Sequence, residues 1–464
     1  MNRAFASFSA FERNHAGFFV LVAAIVVLLA AVSAPAALDA ARFALVAAAV
    51  GAARILRRKG ALHFISAPFL LAVASLVLYS LLPWGVTLAP DLFANTLSSL
   101  PPLTENPYIN NTAERFVLFF SAGCLALAVI GADRIGMPAL QPILPGPLLV
   151  IPVLVLAMLC MVAWVVSLSW LSTANWLDKQ ILDAFPAWIA VLLSVAFLDS
   201  LARGEIRAAG VLAFTLAAFL VLFIFIGVMK TGAFLAAAMT VLLVGAAKSW
   251  RRAIAILGVV AIFFGLILGN FSALRHQRAQ ITPFADQLVS KVVIRQMETG
   301  YCLNKMIDLV ATDGSRRASP LYFLGGFVPR FLWEDKPSLS DLGSFAAEFC
   351  FNHETPGQSF SITLIGEPLL LAGGGGLVVA ALFFLLAHAL ILGGIARAGA
   401  AGAVALLALA PWLADFDQFF ALYWANGLKM ALYMTPVLAL VAVLAKRAAR
   451  TPPAAAEPGK AVTG

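Results

Sequence analysis

Long, nearly continuous apolar runs, separated by short polar segments, make up most of the chain. Each run is long enough to cross the roughly 30 Å hydrocarbon core of a bilayer as an α-helix. Lipid cannot satisfy free backbone groups, and the runs do not alternate every second residue, so helices are expected rather than barrel strands. This length rule predicts about twelve spans, at 17–34, 38–56, 64–85, 113–131, 146–170, 185–201, 208–228, 231–247, 253–270, 362–392, 399–415 and 424–445.

One long polar segment, 271–360, interrupts this pattern. It separates the first nine predicted spans, in 1–270, from the last three, in 361–446, and a Pro- and Ala-rich tail, 447–464, is expected to be disordered in the cytoplasm. Residues 284–312 mix apolar and charged positions at helical spacing, which is typical of a helix lying on the membrane surface. The predicted fold is an all-α polytopic membrane protein of about twelve transmembrane helices, with one large external loop that contains short helices.

Charge indicates which loops face the cytoplasm. The chain is 62% hydrophobic and 12% charged, about half the charged fraction of a soluble protein. Its net charge of +8 does not point to nucleic acid. The cations gather in short loops between the spans, and short cytoplasmic loops of membrane proteins are enriched in Lys and Arg. With an even number of spans and both termini inside, the following cations all lie on the cytoplasmic side: Arg57, Arg58, Lys59, Arg134, Arg203, Arg207, Lys248, Arg251, Arg252, Arg397, Lys446 and Arg447. Segment 271–360 then faces outward, to the periplasm or the cell exterior.

The first apolar run has a second interpretation. Cations before the run and small residues after it also resemble a signal peptide. A retained first span is preferred, and its removal would leave the topology of the other spans unchanged.

Segment 271–360 has the highest concentration of cations in the chain, which indicates a polyanionic substrate. Its basic residues include Arg275, His276, Arg278, Lys291, Arg295, Arg316, Arg317, Arg330, Lys336 and His353. Cys302 and Cys350 lie in the same segment and either form a disulfide, as the oxidising periplasm allows, or remain two thiols.

Two prolines bracket residues 329–337 and restrict their backbone, so that the side chains between them are held in few conformations. Arg330 offers a planar fork to a phosphate, Lys336 a point charge, and Trp333 a flat face for a sugar ring. The alternative is an ordinary surface loop in which both cations pair with the two acidic residues of the same segment.

Three further residues are candidates. Lys230 lies in a very short predicted outer link, where it either contacts a phosphate or extends to the lipid headgroups. His353 and Glu367 are candidate general bases toward a hydroxyl. Alternatively, His353 is merely exposed, and Glu367 hydrogen-bonds within the helix bundle.

Several of these residues together resemble a known family. The relevant features are Pro-Arg-x-x-Trp-x-x-Lys-Pro at 329–337, the polar residues Ser359, Ser361 and Thr363, Gly366-Glu367, a glycine cluster at 373–376, and Lys230-Thr-Gly. This arrangement resembles the oligosaccharide repeat-unit (O-antigen, Wzy-like) polymerases, which are related to the O-antigen ligases. Two features depart from the family pattern, since members often have Asn or Pro at the position of Glu334 and a less extreme glycine cluster.

The resemblance implies a GT-C-like membrane glycosyltransferase that needs neither nucleotide sugar nor metal cofactor. It would polymerise repeat units carried on undecaprenyl pyrophosphate into O-antigen or exopolysaccharide. Arg330, Lys336, Arg295, His353 and Glu367 would be catalytic, whereas Lys230, Arg275, Arg278 and Trp333 would bind pyrophosphate or sugar. A chain-length regulator and a flippase are the expected protein partners.

Two other functions remain open. An O-antigen ligase would use the same chemistry with lipid A core as acceptor. A polyprenyl-glycan flippase would instead require ionisable residues near the bilayer midplane, whereas the predicted spans are nearly free of charge.

Overall fold

The computed structural model describes residues 34–88, 112–168, 176–205, 209–222, 229–247, 251–260, 294–313 and 361–450, together with isolated positions between them. Within these ranges every regular element is helical, which confirms the predicted class. The helices are α1 (Pro35–Lys59), α2 (Ala67–Leu88), α3 (Thr112–Arg134), α4 (Val150–Leu168), α5 (Trp176–Arg203), α6 (Ala209–Leu222), α7 (Met229–Ala246), α8 (Ile294–Asp313), α9 (Thr363–Arg397), α10 (Gly399–Leu413) and α11 (Phe420–Arg450).

The described helices make the chain a membrane protein, but they do not confirm a count of about twelve spans. Seven of them are long and apolar enough to cross a bilayer: Pro35–Lys59, Ala67–Leu88, Thr112–Arg134, Pro147–Trp164, Ala184–Arg203, Thr363–Arg397 and Phe420–Arg450. The apolar helices Phe234–Ala246 and Gly399–Leu413 are shorter. A helix such as α10, with 15 residues, extends only about 22 Å. The predicted spans 17–34 and 253–270 lie mostly outside the described residues.

Helices α5 and α10 form the centre of the bundle. Almost every side chain of α5 beyond residue 184 is buried, and α10 packs against α2, α5, α7, α9 and α11. In contrast, α4 presents large apolar side chains to its surroundings, with Ile151 and Leu159 each 60% exposed. Such exposure is favourable where the surrounding solvent is lipid.

Polar contacts bring several predicted inner loops to the same end of the bundle. The Lys59 ammonium lies 2.9 Å from the Asp133 carboxylate, and Arg57 donates a hydrogen bond to the Ala247 carbonyl. After α3 the chain continues to Ile143, whose amide donates to Asp199 near the end of α5 at 2.7 Å. The ends of α1, α3, α5 and α7 therefore lie on one side, as the charge pattern predicts. That this side is cytoplasmic stays a prediction.

Helix α8 lies at the other end of the bundle and is linked to a second segment of the chain. It packs against α3, α9 and the π-helical turn Val77–Leu81 within α2. Cys302 of α8 forms a disulfide with Cys350, which confirms the pairing. This helix covers residues 294–312 of the predicted surface helix and ends one residue later, and it continues through Gly300.

Helix α9 is broken near its beginning, where the sequence predicts one continuous span. Ala372 (φ −152°, ψ 25°) and Gly373 (φ 57°, ψ −141°) leave helical geometry. A Cβ on Gly376 would lie 2.0 Å from the Pro368 carbonyl oxygen, so only glycine fits this bend. In contrast, Gly374 and Gly375 have no neighbour within 4 Å of such a Cβ. The glycine cluster therefore forms a bend in α9.

Candidate functional site

An apolar cavity of about 360 Å³ lies between α3 and α9 and reaches α11. Its walls include Phe116 and Phe120 of α3, Phe384 of α9 and Phe420 of α11. Val378, another wall residue, is 60% exposed, so the cavity opens to the lipid-facing surface of the bundle. An apolar chain can therefore enter it from the bilayer.

A buried ionic cluster joins α1, α2 and α3 near their predicted outer ends. Arg42 is 1% exposed and binds the fully buried Glu114 carboxylate through Nε at 2.8 Å and Nη2 at 2.6 Å. Ser80 donates to Glu114 Oε1 at 2.7 Å, and Asp39 forms a second ion pair with Arg42. The guanidinium also lies 5.6 Å from the centre of the Trp84 ring. Each charge thus has partners, as a charge within a bilayer requires.

This cluster corrects the expectation that the predicted spans are nearly free of charge. Arg42 and Glu114 fall inside two of the predicted spans, where Asp39 and Arg54 share the run of Arg42 and Arg115 follows Glu114. Their sequence separation of 72 residues gives no sign that they pair. The sequence offers one signal of this pairing: the two residues have opposite charges, and each lies a few residues from the predicted outer end of its span.

Glu367 lies in the short part of α9 that precedes the break. The residue is 4% exposed, and its carboxylate accepts the Ala421 amide at 2.9 Å, which ties α9 to the first turn of α11. This is the hydrogen-bonding alternative that the sequence allows for Glu367. Its role as a general base stays a prediction.

The loop 414–419 between α10 and α11 contributes two buried carboxylates that sequence reasoning missed. Asp415 accepts the Asp417 amide at 3.1 Å and the Gln418 side-chain amide at 2.6 Å. Asp415 and Asp417 are 2% and 9% exposed. The loop is buried because α10 is short. An Asp-x-Asp pair directly between two apolar runs is the signal that could have identified it.

Aromatic contacts join the cluster, the loop and the cavity into one region. Phe416 of the loop lies 4.9 Å, between ring centres, from both Tyr79 and Phe120. Tyr79 precedes Ser80 of the ionic cluster, and Phe120 lines the cavity. The Phe416 carbonyl also accepts the Leu364 amide at 3.3 Å. We define this region as the candidate site.

His388 is a further buried polar residue that sequence reasoning missed. Its Nε2 lies 3.0 Å from the Tyr423 hydroxyl, which donates to the Leu413 carbonyl at 2.8 Å. His388 Nδ1 lies 2.9 Å from the Phe384 carbonyl. These bonds connect α9, α10 and α11 beside the cavity.

Lys305 is a cation of α8 close to the disulfide. Its ammonium lies 3.3 Å from the Cys350 carbonyl and 5.1 Å and 6.0 Å from the centres of the Tyr301 and Phe349 rings. This basic residue of the predicted outer segment was not singled out from sequence, because it follows no recognised motif.

The structure gives only part of the predicted site. Arg275, Arg278, Arg330, Lys336 and His353 lie outside the described residues. Lys230 and Arg295 lie in α7 and α8, but their side chains are not among the described ones, and Trp333 is half-buried. Whether the predicted cations converge therefore stays a prediction.

Among the described residues, no group of three or more His, Cys, Asp or Glu side chains is arranged to hold a metal ion. Comparison of the chain with protein-family models, with curated proteins and with solved structures finds no match.

Proposed function

We propose that this protein is a glycosyltransferase of the bacterial inner membrane that polymerises repeat units carried on undecaprenyl pyrophosphate. The apolar cavity between α3 and α9 carries the proposal, because it offers a polyprenyl chain a place that opens to the bilayer. The disulfide supports it, because it holds the part of segment 271–360 around Cys350 against α8, which packs against both helices.

The proposed reaction is a displacement at a sugar carbon. A hydroxyl oxygen of the acceptor repeat unit bonds to the anomeric carbon of the donor glycan while the bond to the pyrophosphate oxygen breaks. The lipid pyrophosphate leaves with the bonding electrons, and the hydroxyl proton passes to His353 or Glu367. Arg330, Lys336, Arg295 and Lys230 stabilise the negative charge that develops on the leaving group.

A second candidate function is the translocation of lipid-linked glycans. The buried ionic cluster of Arg42 and Glu114 favours it, because ionisable groups inside a bilayer commonly line a transport path. However, both charges are fully engaged with protein groups, as expected for a structural clamp. A ligase that uses the same donor also fits the cavity.

Glycan length in a cell that lacks the protein separates these functions. Loss of a polymerase leaves single repeat units attached to lipid A core, whereas loss of a ligase or a flippase leaves none. Arg330→Ala and Lys336→Ala are each expected to reduce long-chain polysaccharide by about 10²–10³-fold at normal protein level. Arg397→Ala, which changes an exposed cation at the predicted inner end of α9, is the matched control. Wild-type chain lengths in both loop variants would remove this segment from the mechanism.

A further inference from the structure

Arg115 is a cation on α3 with an unsatisfied hydrogen-bond donor. The residue is half-buried, and its Nε is buried without a hydrogen-bond partner. Within the described part of the chain Arg115 also forms no ion pair. The neighbouring Glu114 binds Arg42 and Ser80 instead, since adjacent residues of a helix point about 100° apart. A buried guanidinium donor without a partner is unfavourable unless an external acceptor completes it.

The position of Arg115 on α3 places it close to the apolar cavity. Phe119, one turn further along the same face of α3, and Phe116, the next residue, both line the cavity. Side chains of a helix tilt toward its N-terminus, so Arg115 covers the turn between Phe119 and the predicted outer end. A ligand with its chain in the cavity would therefore have its headgroup at the level of Arg115.

We propose that Arg115 and the cavity form a binding site for a polyprenyl diphosphate, in which Arg115 binds the phosphate and the cavity holds the first part of the chain. Arginine forms strong charge-assisted hydrogen bonds to phosphate oxygens. The volume of about 360 Å³ is near the lower end of the range for ligand pockets, so it suits one chain better than the two of a phospholipid. The identity of the lipid rests on the proposed function.

Native mass spectrometry of the purified full chain tests this site without any glycosyl transfer. Undecaprenyl diphosphate should bind more tightly than undecaprenol, phosphatidylglycerol or inorganic pyrophosphate. Arg115→Gln should weaken binding of the diphosphate by roughly 10- to 100-fold and leave binding of undecaprenol unchanged. Arg134→Gln, at the opposite and exposed end of the same helix, should have no effect.

Gly123 provides a second variant that tests the cavity itself. It lines the cavity, and an added Cβ would meet nothing within 4 Å, so the side chain of Gly123→Leu has room to begin in the cavity and fill part of it. This variant should weaken both undecaprenyl diphosphate and undecaprenol. The control is Gly394→Leu. Gly394 lies near the C-terminal end of α9, and an added Cβ there would also meet nothing within 4 Å.

Three results would overturn the site: unchanged diphosphate binding in Arg115→Gln, equal binding of phosphatidylglycerol, or unchanged binding of both lipids in Gly123→Leu. If Arg115→Gln does not fold, two measurements still test the site: the affinity of the wild-type protein for undecaprenyl diphosphate against the other three ligands, and lipid binding by Gly123→Leu. If Arg115→Gln forms polymer as well as the wild-type protein does, this inference is contradicted but the proposed function is not. Binding without polymer formation would contradict the proposed function alone.

Discussion

Arg42 is a buried cation that forms ion pairs with Glu114 and Asp39. We expect Arg42→Met to destabilise the protein by about 3–5 kcal/mol, since it leaves the Glu114 carboxylate buried without its cation. Thermal unfolding in detergent measures this change. Arg54→Met, an exposed position of the same helix, should change stability by about 0.5 kcal/mol or less. Equal effects of the two variants would contradict a stabilising role for the Arg42–Glu114 ion pair.

His63 makes stability depend on pH. It lies in the 3₁₀ segment Ala61–Ile65 between two spans and is 3% exposed. Burial, with help from the Lys59 ammonium, lowers the pKa of His63 to about 4, and Asp133 partly opposes this. The unfolded chain has the ordinary pKa near 6.5 and so binds a proton first as the pH falls.

Stability is therefore expected to be full above about pH 6.5 and to decrease as the pH falls toward 4. Melting temperatures of the purified protein at pH 7.5 and pH 5 measure the loss. His63→Gln should flatten this part of the profile. A wild-type profile that is flat between these values would contradict the assignment.

For single residues, the sequence identified candidate side chains, but for most of them it did not identify the residue that they contact. The pairing of Cys302 with Cys350 could be suggested, because both lie in one polar segment. The pairing of Arg42 with Glu114 could not, because contact between distant helices depends on packing angles that a single sequence does not reveal. Glu367 was identified, yet only the structure shows its bond to the backbone of α11.

Helix α9 owes its shape to a residue that no other type can replace without strain. Gly373 has φ 57° and ψ −141°, a combination that essentially only glycine adopts. Gly373→Ala should destabilise the protein by about 1–3 kcal/mol in thermal unfolding. Gly375→Ala is the matched control, because it lies after the break and a Cβ there has open space. Equal melting temperatures for both variants would show that the break is unimportant.

The disulfide fixes α8 to a segment 48 residues away and encloses residues 329–337. Its chain-entropy contribution is about 4 kcal/mol. Cys302→Ala with Cys350→Ala should lower the melting temperature and reduce polysaccharide length. Cys160→Ala, a half-buried free cysteine of α4, should leave polysaccharide length unchanged. Full chain length in the double variant would show that the link does not support the predicted site.

Helices were predictable as elements because apolar length is a strong signal. Most of the predicted spans overlap a described helix, and α8 overlaps the predicted surface helix. The break in α9 was not predictable, because apolar composition continues through it, whereas α10 ends close to the predicted end of its span. A continuous apolar run cannot distinguish a straight helix from one that bends at glycine.

At the scale of the whole molecule, charge predicted which loops share one end, and the contacts of Lys59, Arg57 and Asp199 agree. The candidate site lies toward the opposite end, between the ionic cluster, the loop 414–419 and the apolar cavity. This arrangement joins a lipid-accessible apolar space to the end where the cation-rich segment is attached. We propose that this arrangement serves glycosyl transfer.

Reconstitution of the purified protein into liposomes with an undecaprenyl pyrophosphate-linked repeat unit tests that claim most directly. Gel analysis of the lipid-linked products should show a ladder of polymer without added nucleotide sugar, and Arg330→Ala should abolish the ladder while Arg397→Ala retains it. Repeat units that remain single with folded wild-type protein, or that only move across the bilayer, would contradict the account.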